Sequence, residues 1–169
     1  MHVGSRIAVV GGALALLVGC PAPQGASLQP LPDARYATYI HPLFEGSCAT
    51  LDCHGDEGRP LRLYSETGLR ITDDLRTAPG EPTIPVTAEE LVDNVHAIAI
   101  VDVDHPIVEE RFLLLKPLSN VGGGVHHYGG RIWTGVDDPA YRCVRSWLEG
   151  AIDAPACDEA VARDGLPPP

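Results

Sequence analysis

The chain has 169 residues, with 12 basic and 23 acidic side chains, and a formal net charge of -11. This length suits a single domain. So acidic a surface argues against a nucleic-acid partner because little of it can neutralise phosphates. The 18 glycines and 16 prolines predict a loop-rich fold, whose small core needs support from cross-links or a cofactor.

The N-terminus carries a short apolar run over residues 7–18, directly after Arg6. The run has the length of a signal-peptide core and is shorter than the ~20 residues of a membrane-spanning helix. It ends in Gly19 and Cys20, which together resemble the lipobox of bacterial lipoproteins, where a small residue precedes the cysteine that is lipidated. The resemblance implies a signal peptide over residues 1–19 and a lipid on Cys20.

An ordinary secretory signal with a chance cysteine is the alternative, and both interpretations place the chain in the cell envelope. The lipidated form is anchored to a membrane, at the periplasmic face or at the outer surface. Residues 20–32 are rich in proline and predict a tether that leads to a folded domain over residues 33–157. Residues 158–169 are expected to form a disordered tail.

The first helix is predicted from Asp33 onwards, because apolar residues recur there at helical spacing. Pro42 should kink this helix or split it. The apolar face consists of Tyr36, Tyr39, Ile40, Leu43 and Phe44.

A cysteine–histidine motif follows this helix at residues 48–54. Four residues separate Cys48 from Cys53, and His54 comes directly after Cys53. The usual attachment site of c-type haem is C-x-x-C-H: two thiols add to the haem vinyl groups, and the next imidazole binds the iron from one face. Adjacent Cys and His suit a zinc ion poorly, and two cysteines are too few for an iron–sulfur cluster. The main alternative is a plain Cys48–Cys53 disulfide with His54 as a bystander.

The middle of the chain is predicted to be irregular. Residues 55–85 show little periodicity, and so long a loop needs something to wrap around, such as a haem. Thr87 and Glu90 form a capping-box pattern that predicts a helix to about Ile98, with an extended or strand-like segment over residues 98–103. A short helix is expected over residues 109–115.

The last predicted helix begins after Asp138, has Pro139 at its first position and stops at Gly150. Its buried stripe is expected to consist of Tyr141, Val144, Trp147, Leu148 and Ala151. Even cysteine pairs in an oxidising compartment suggest disulfides. Cys143 and Cys157 fit a bridge that spans this helix, a turn and a returning segment.

Several stretches, in their order along the chain, resemble the c-type cytochrome domains of planctomycetes and myxobacteria. An I-x-P-x-F stretch at residues 40–44 precedes the cysteine–histidine motif, which Gly55 completes as C…CHG. LLLKPL at residues 113–118, H-x-G-G at residues 127–130 and W-L-x-G-A at residues 147–151 follow. The resemblance covers residues 36–151 and departs from the family pattern in its C-x4-C-H spacing.

This resemblance implies a mainly α, small cytochrome c-like helical domain with long irregular loops around one covalent haem c. In it, Cys48 and Cys53 hold the haem and His54 is the proximal iron ligand. The distal ligand is expected to be a histidine, because the only methionine, Met1, leaves with the signal peptide. The candidates are His41, His96, His105, His126 and His127. The resemblance assigns His127, and His126 is the alternative.

Residues directly after the distal loop are candidates for the haem propionates, namely Arg131 and Trp133. Arg62 and Arg70 are further candidates. Asp102, Asp104 and His105 form a weaker candidate for a separate metal site.

Together these features predict a lipid-anchored monohaem cytochrome that carries single electrons and is not an enzyme. A six-coordinate iron favours electron transfer, and two imidazoles give it a lower potential than a His/Met pair does. The net charge predicts a redox partner with a basic docking patch. The alternatives are a haem-based sensor with an open iron position and a haem-free, disulfide-stapled lipoprotein that acts as a binding or structural module.

Overall fold

The computed structural model of the chain describes Met1, residues 33–102 and residues 105–163. Helices dominate this part of the chain, and its only β pairing consists of isolated bridges. The fold is therefore mainly α, as the helical periodicity predicts. The predicted signal peptide, Cys20 with its lipid and the tether over residues 20–32 lie outside the described residues, as does Asp104.

The first helical stretch is continuous and has three parts: α1 (Asp33–Arg35), a π-helical turn (Tyr36–Ile40) and α2 (His41–Ser47). In the wide turn, the amide of His41 donates to the carbonyl of Tyr36, five residues back. Pro42 has no amide hydrogen, and its ring needs room in the preceding turn. The helix therefore widens before Pro42 instead of breaking.

The core forms where this stretch packs against α5 (Pro139–Leu148) and α6 (Ala154–Arg163). The rings of Tyr36 and Trp147 are fully buried, and their centroids lie 5.7 Å apart. α5 begins as predicted, with the Asp138 carboxylate accepting a hydrogen bond from the amide of Ala140. The last predicted helix thus contacts the first across the core.

The C-terminal part of the domain is longer than expected. The predicted disulfide between Cys143 and Cys157 is present, with an S–S distance of 2.06 Å, and joins α5 to α6. The disordered tail expected from residue 158 was wrong for residues 158–163, which belong to α6, and Ala160 is fully buried. Contact with the core holds this weakly patterned segment as a helix.

The predicted stripe of α5 needs one correction. Ala151 is exposed, because α5 ends at Leu148 and the chain turns at Gly150, whose φ is 78°. Glycine tolerates this left-handed conformation, so it serves as the helix stop that the sequence predicts.

α3 (Ala88–Val101) begins with the predicted capping box: Thr87 accepts from the amide of Glu90, and Glu90 accepts from the amide of Thr87. The helix is longer than expected. Residues 98–101 are helical rather than extended, and Ile98 is fully buried. Packing of the apolar face therefore outweighs the preference of β-branched residues for extended structure.

The region between α3 and α5 contains α4 (Phe112–Leu115) and two 3₁₀ turns, Val108–Glu110 and Asn120–Gly122. The single helix predicted over residues 109–115 is divided at Arg111, which has an extended backbone with ψ of 138°. α4 places the LLLKPL stretch beside the cavity described below.

The long loop before α3 contains a short 3₁₀ turn, Asp73–Leu75, and is held by a buried ion pair. Arg70 donates from Nε and Nη2 to the two carboxylate oxygens of Glu90, each at 3.0 Å. Its guanidinium also donates to the carbonyls of Leu75, Ile84 and Pro85. Burial alone would raise the pKa of Glu90, but the hydrogen bonds it accepts, first from Arg70, lower it to about 2. Arg70 therefore anchors the loop and is not placed to bind a propionate.

Candidate functional site

The cysteine–histidine motif folds into a compact loop directly after α2. The amide of Cys53 donates to the carbonyl of Thr50, and the amide of His54 donates to the carbonyl of Cys48, both at 2.9 Å. These bonds fold the four-residue spacer into a turn. Cys48, Cys53 and His54 consequently line the same cavity, so the long spacer does not separate the thiols from the imidazole.

Two small residues allow this loop to pack tightly. Ala49 is only 1% exposed, and its carbonyl accepts a hydrogen bond from the Ser65 hydroxyl at 2.7 Å. A β-carbon on Gly55 would lie 2.2 Å from the carbonyl oxygen of Ala49. Any other residue at position 55 would collide with the backbone of the loop. This collision explains why a glycine follows His54 in the C…CHG motif.

The two thiols of the motif are not joined to each other. Neither Cys48 nor Cys53 belongs to a disulfide, and both are half-buried. The plain Cys48–Cys53 bridge considered from the sequence is therefore absent from the structure. Both sulfur-bearing residues remain at the wall of the cavity, beside His54.

The imidazole of His54 is oriented by the backbone. Its Nδ1 donates to the carbonyl of Leu61 at 2.9 Å. Burial lowers the pKa of His54, the hydrogen bond to Leu61 opposes this change, and the nearby His127 lowers the pKa further. The ring is thus neutral at pH 7 and keeps Nε2 for another partner. Histidines that bind metals commonly have this arrangement, with the second ring nitrogen donating to a carbonyl.

His127 presents a second imidazole in the same way. Its ring is nearly parallel to that of His54, with an interplanar angle of 12° and centroids 6.0 Å apart. Its Nδ1 donates to the carbonyl of Gly130 at 3.1 Å, which again leaves Nε2 for another partner. The structure therefore brings together the two histidines that the sequence and the family resemblance single out, although they stand 73 positions apart.

The two imidazoles form a stacked pair at the wall of the cavity, with an interplanar angle of 12° and a centroid distance of 6.0 Å. Because both His54 and His127 line the cavity, one ligand in it would contact both rings.

The donor set at the cavity includes His54, His127 and two cysteines. Among the described residues, no group of three or more His, Cys, Asp or Glu side chains is arranged to hold a metal ion. A haem would bring its own ring nitrogens to the iron, so His54 and His127 would have to supply only two further nitrogens. Asp102, part of the weaker metal candidate, instead accepts from Arg111 at 2.7 Å and from the amide of Leu113 at 2.9 Å.

The cavity that these residues share has a volume of about 280 Å³ and mostly apolar walls. This volume is near the lower end of the range for small-molecule sites, ~300–1,000 Å³. Its apolar lining includes Phe44, Leu61, Leu63, Leu113 and Ile132. Such walls exclude water and suit a flat apolar ring with polar groups at its edge.

The loop that carries His127 is attached at both ends to the end of α4. The amide of Val125 donates to the carbonyl of Leu115 at 3.0 Å, and the amide of Ile132 donates to the carbonyl of Pro117 at 2.9 Å. A β-carbon on Gly129 would lie 3.1 Å from Cε1 of His127, so glycine lets the ring lie close to its own backbone. The closeness of the ring therefore explains the first glycine of the H-x-G-G stretch.

The other candidates near this loop have different surroundings. His126 also lines the cavity, but its ring packs edge-on against Tyr128, with centroids 5.0 Å apart. Arg131 is exposed at the end of the loop. Trp133 is buried against Tyr141, with ring centroids 5.9 Å apart, and its Nε1 has no hydrogen-bond partner within the described structure. Neither Arg131 nor Trp133 lines the cavity, and their propionate roles stay predictions.

The remaining histidine candidates lie away from the cavity lining. His41 is buried in α2, with Nε2 3.7 Å from a carboxylate oxygen of Glu45. His105 pairs with Glu110 at 3.3 Å. His96 is exposed on α3. None of these three is placed to share a ligand with His54.

Sequence reasoning overlooked Lys116. This residue lines the cavity, and its Nζ donates to the carbonyl of His126 at 3.0 Å. The signal was available, because Lys116 is the one lysine of the chain and lies within the LLLKPL stretch.

No helix within residues 33–102 or 105–163 is both long enough and apolar enough to cross a membrane. Comparisons of the chain with family models, with curated proteins and with solved structures find no match.

Proposed function

We propose that this chain is a lipid-anchored monohaem c-type cytochrome that transfers single electrons in the cell envelope. It acts as an electron carrier and not as an enzyme. The observation that carries this proposal is the pair of imidazoles, His54 and His127, 6.0 Å apart and nearly parallel. Each ring has its Nδ1 bonded to a backbone carbonyl, and both line a cavity with Cys48 and Cys53.

The residues present fit a covalent haem c. Cys48 and Cys53 would hold it by thioether bonds, and His54 and His127 would each supply a nitrogen to its iron. When bound, the haem would supply an iron that gains and loses one electron reversibly. With both histidines on the iron, no position would stay open for a gas, so electron transfer would be favoured over gas sensing.

The protein's own contribution is to position and shield these groups. The carbonyl of Leu61 fixes the orientation of His54, and the carbonyl of Gly130 fixes that of His127. Mostly apolar walls surround the space beside the two rings. Two imidazoles set a lower potential than a His/Met pair. The acidic surface favours the form with the greater positive charge, so it adds slightly to the stability of the oxidised state.

The net charge of -11 also indicates the chemistry of the redox partner. A partner with a basic patch would be attracted to this surface, and their association should weaken with added salt. A lipid on Cys20 would hold the domain at a membrane while the tether lets it meet that partner.

Covalent haem is the property to test first. The full chain is produced in a bacterial periplasm together with a cytochrome c maturation system, and the protein is extracted with acid and acetone. A pyridine haemochrome spectrum of the extracted protein should then show a c-type α band. The variants Cys48→Ser and Cys53→Ser should each lower the covalent haem content, because each removes one attachment point.

Matched variants outside the site control for folding. Cys143→Ser with Cys157→Ser removes two other cysteines and should leave the c-type band in place. A colourless wild-type protein that contains a Cys48–Cys53 disulfide would overturn the cytochrome proposal. The chain would then be a disulfide-stapled binding or structural lipoprotein.

A further inference from the structure

The segment that carries His127 lies between two backbone anchors, the amides of Val125 and Ile132, which donate to the end of α4. Between these anchors it has few bonds to the rest of the domain. Within residues 126–131, the amide of Gly130 donates to the carbonyl of His127, and Nδ1 of His127 donates back to the carbonyl of Gly130. Among the hydrogen bonds of the described residues, one joins this segment to another part of the chain. It runs from Nζ of Lys116 to the carbonyl of His126, at 3.0 Å.

Lys116 is itself well placed to act as an anchor. It follows α4 directly, and its amide donates to the carbonyl of Phe112 at 3.0 Å. Its Nζ also lies 5.7 Å from the centroid of the Phe112 ring, within reach of a cation–π interaction. The next residue, Pro117, restricts the backbone on the other side. The ammonium is therefore held from α4 while it binds the carbonyl next to His127.

The choice of residue type supports this role. The other basic side chains of the chain, apart from histidines, are arginines, and Lys116 stands alone as a lysine. An ammonium on a flexible four-carbon stem can donate to a single carbonyl without the two-pronged geometry that a guanidinium favours. The acceptor is one backbone oxygen, so the two-pronged geometry of a guanidinium brings no advantage here, although an arginine can still make the single bond.

We propose that Lys116 is a positioning residue for His127. It holds the carbonyl of His126 against the end of α4 and thereby keeps the adjacent imidazole at the cavity. This inference rests on the proposed function, because the position of His127 matters only if it binds the iron. His54 has no such dependence, because its loop is closed by backbone bonds and by the buried Ala49.

The proposal predicts that loss of the Lys116 ammonium opens the distal position to external ligands. The test uses the full haem-loaded chain, reduced and mixed with carbon monoxide, with the rate read from the change in the visible spectrum. Carbon monoxide can bind only when the distal imidazole has left, so its rate reports the release of His127. Lys116→Met should raise this rate roughly 2- to 5-fold, the effect expected for one solvent-exposed hydrogen bond from a charged donor.

Two further variants separate positioning from a general loss of charge or fold. Lys116→Arg keeps a cationic donor and should restore a rate close to that of the wild type. Arg76→Met removes one positive charge from an exposed side chain that does not line the cavity, and it should leave the rate unchanged. Lys116→Gln gives a second measurement if Lys116→Met loads little haem, and the same increase is expected.

The possible results distinguish this inference from the function on which it rests. A wild-type chain that takes up no haem overturns both. A loaded wild-type chain whose rate equals those of Lys116→Met and Lys116→Gln overturns the role of Lys116 alone. An equal increase in Arg76→Met would attribute the effect to net charge and would also overturn the positioning role.

Discussion

The two loops that present the imidazoles to the cavity are held in different ways. The loop of His54 is packed: Ala49 is buried, the backbone of Gly55 touches that of Ala49, and the amide of Leu63 donates to the carbonyl of His54 at 2.7 Å. The segment of His127 lies at the surface, where Tyr128 is 96% exposed. One hydrogen bond, from Lys116, ties this segment to another part of the described chain.

This difference indicates a division of roles between the two sides of the cavity. Close packing restricts the loop of His54 to one arrangement. The two thiols and His54 therefore keep their positions relative to one another. The segment of His127 can move at a cost of a few hydrogen bonds, so the position of His127 is the more adjustable of the two. Changes on the proximal side should therefore abolish the site, and changes on the distal side should modify it.

The strongest test of this division compares two glycines. Gly55→Ala should destabilise the domain by about 3 kcal/mol, the upper end for overpacked sites, because its β-carbon would meet the Ala49 carbonyl at 2.2 Å. Gly129→Ala should cost about 1 kcal/mol, because the group it meets is the movable ring of His127. Urea unfolding and haem content measure both effects.

Gly135→Ala is the matched control, because a β-carbon there meets no atom within 4 Å. It should change the free energy of unfolding by less than about 0.5 kcal/mol. If Gly129→Ala lowered haem content and stability as much as Gly55→Ala does, the two loops would be equally rigid and the comparison would fail.

The second test concerns the distal ligand. His127→Ala should convert the haem-loaded protein from a low-spin to a high-spin spectrum, because the iron loses its sixth ligand while the thiols and His54 still hold the haem. His126→Ala is the matched variant and should leave the spectrum low-spin, because the His126 ring packs against Tyr128. The reverse pattern would make His126 the ligand.

The third test removes the covalent link between α5 and α6. The double variant Cys143→Ala with Cys157→Ala should lose about 3 kcal/mol of stability, as expected for a closed loop of this length. The visible spectrum of the haem-loaded protein should not change, because neither cysteine lines the cavity. A shift in that spectrum would mean that the bridge supports the site itself.

The last effect expected is a pH dependence that arises in α2. Burial lowers the pKa of His41 to about 4, although Glu66 and Glu90 act in the opposite direction. Between pH 6.5 and 4 the unfolded chain binds a proton at this histidine and the folded chain does not, so stability falls as the pH is lowered. The loss amounts to at most about 3 kcal/mol, and the raised pKa of the half-buried Glu45 offsets part of it.

Urea unfolding at several pH values measures this dependence. His41→Gln should flatten the slope of stability between pH 6.5 and 4, whereas His96→Gln, at an exposed position on α3, should leave it unchanged. An unaltered slope in His41→Gln would assign the acid sensitivity to other groups.

Local sequence signals predicted much of the fold. Thr87 with Glu90 marks the start of α3 because their side chains form a capping box. Asp138 marks the start of α5 because its carboxylate caps the helix, and Pro139 suits the first helical position, where no amide hydrogen is needed. Predictions were wrong where contacts between residues far apart in the sequence determine the local structure. Burial of Ile98 continues α3 through β-branched residues, and burial of Ala160 with the nearby disulfide makes residues 158–163 helical.

The sequence by itself determined which side chains are close along the chain: two cysteines with His54, and two glycines shortly after His127. These are properties of neighbouring residues, and neighbours along the chain are neighbours in space. Only the tertiary structure decided that the ring of His127 lies beside that of His54 and that Arg70 forms an ion pair with Glu90. The same is true of the hydrogen bond from Lys116 to the carbonyl of His126. Each of these pairs spans a loop, and packing of the core determines where the two ends of a loop meet.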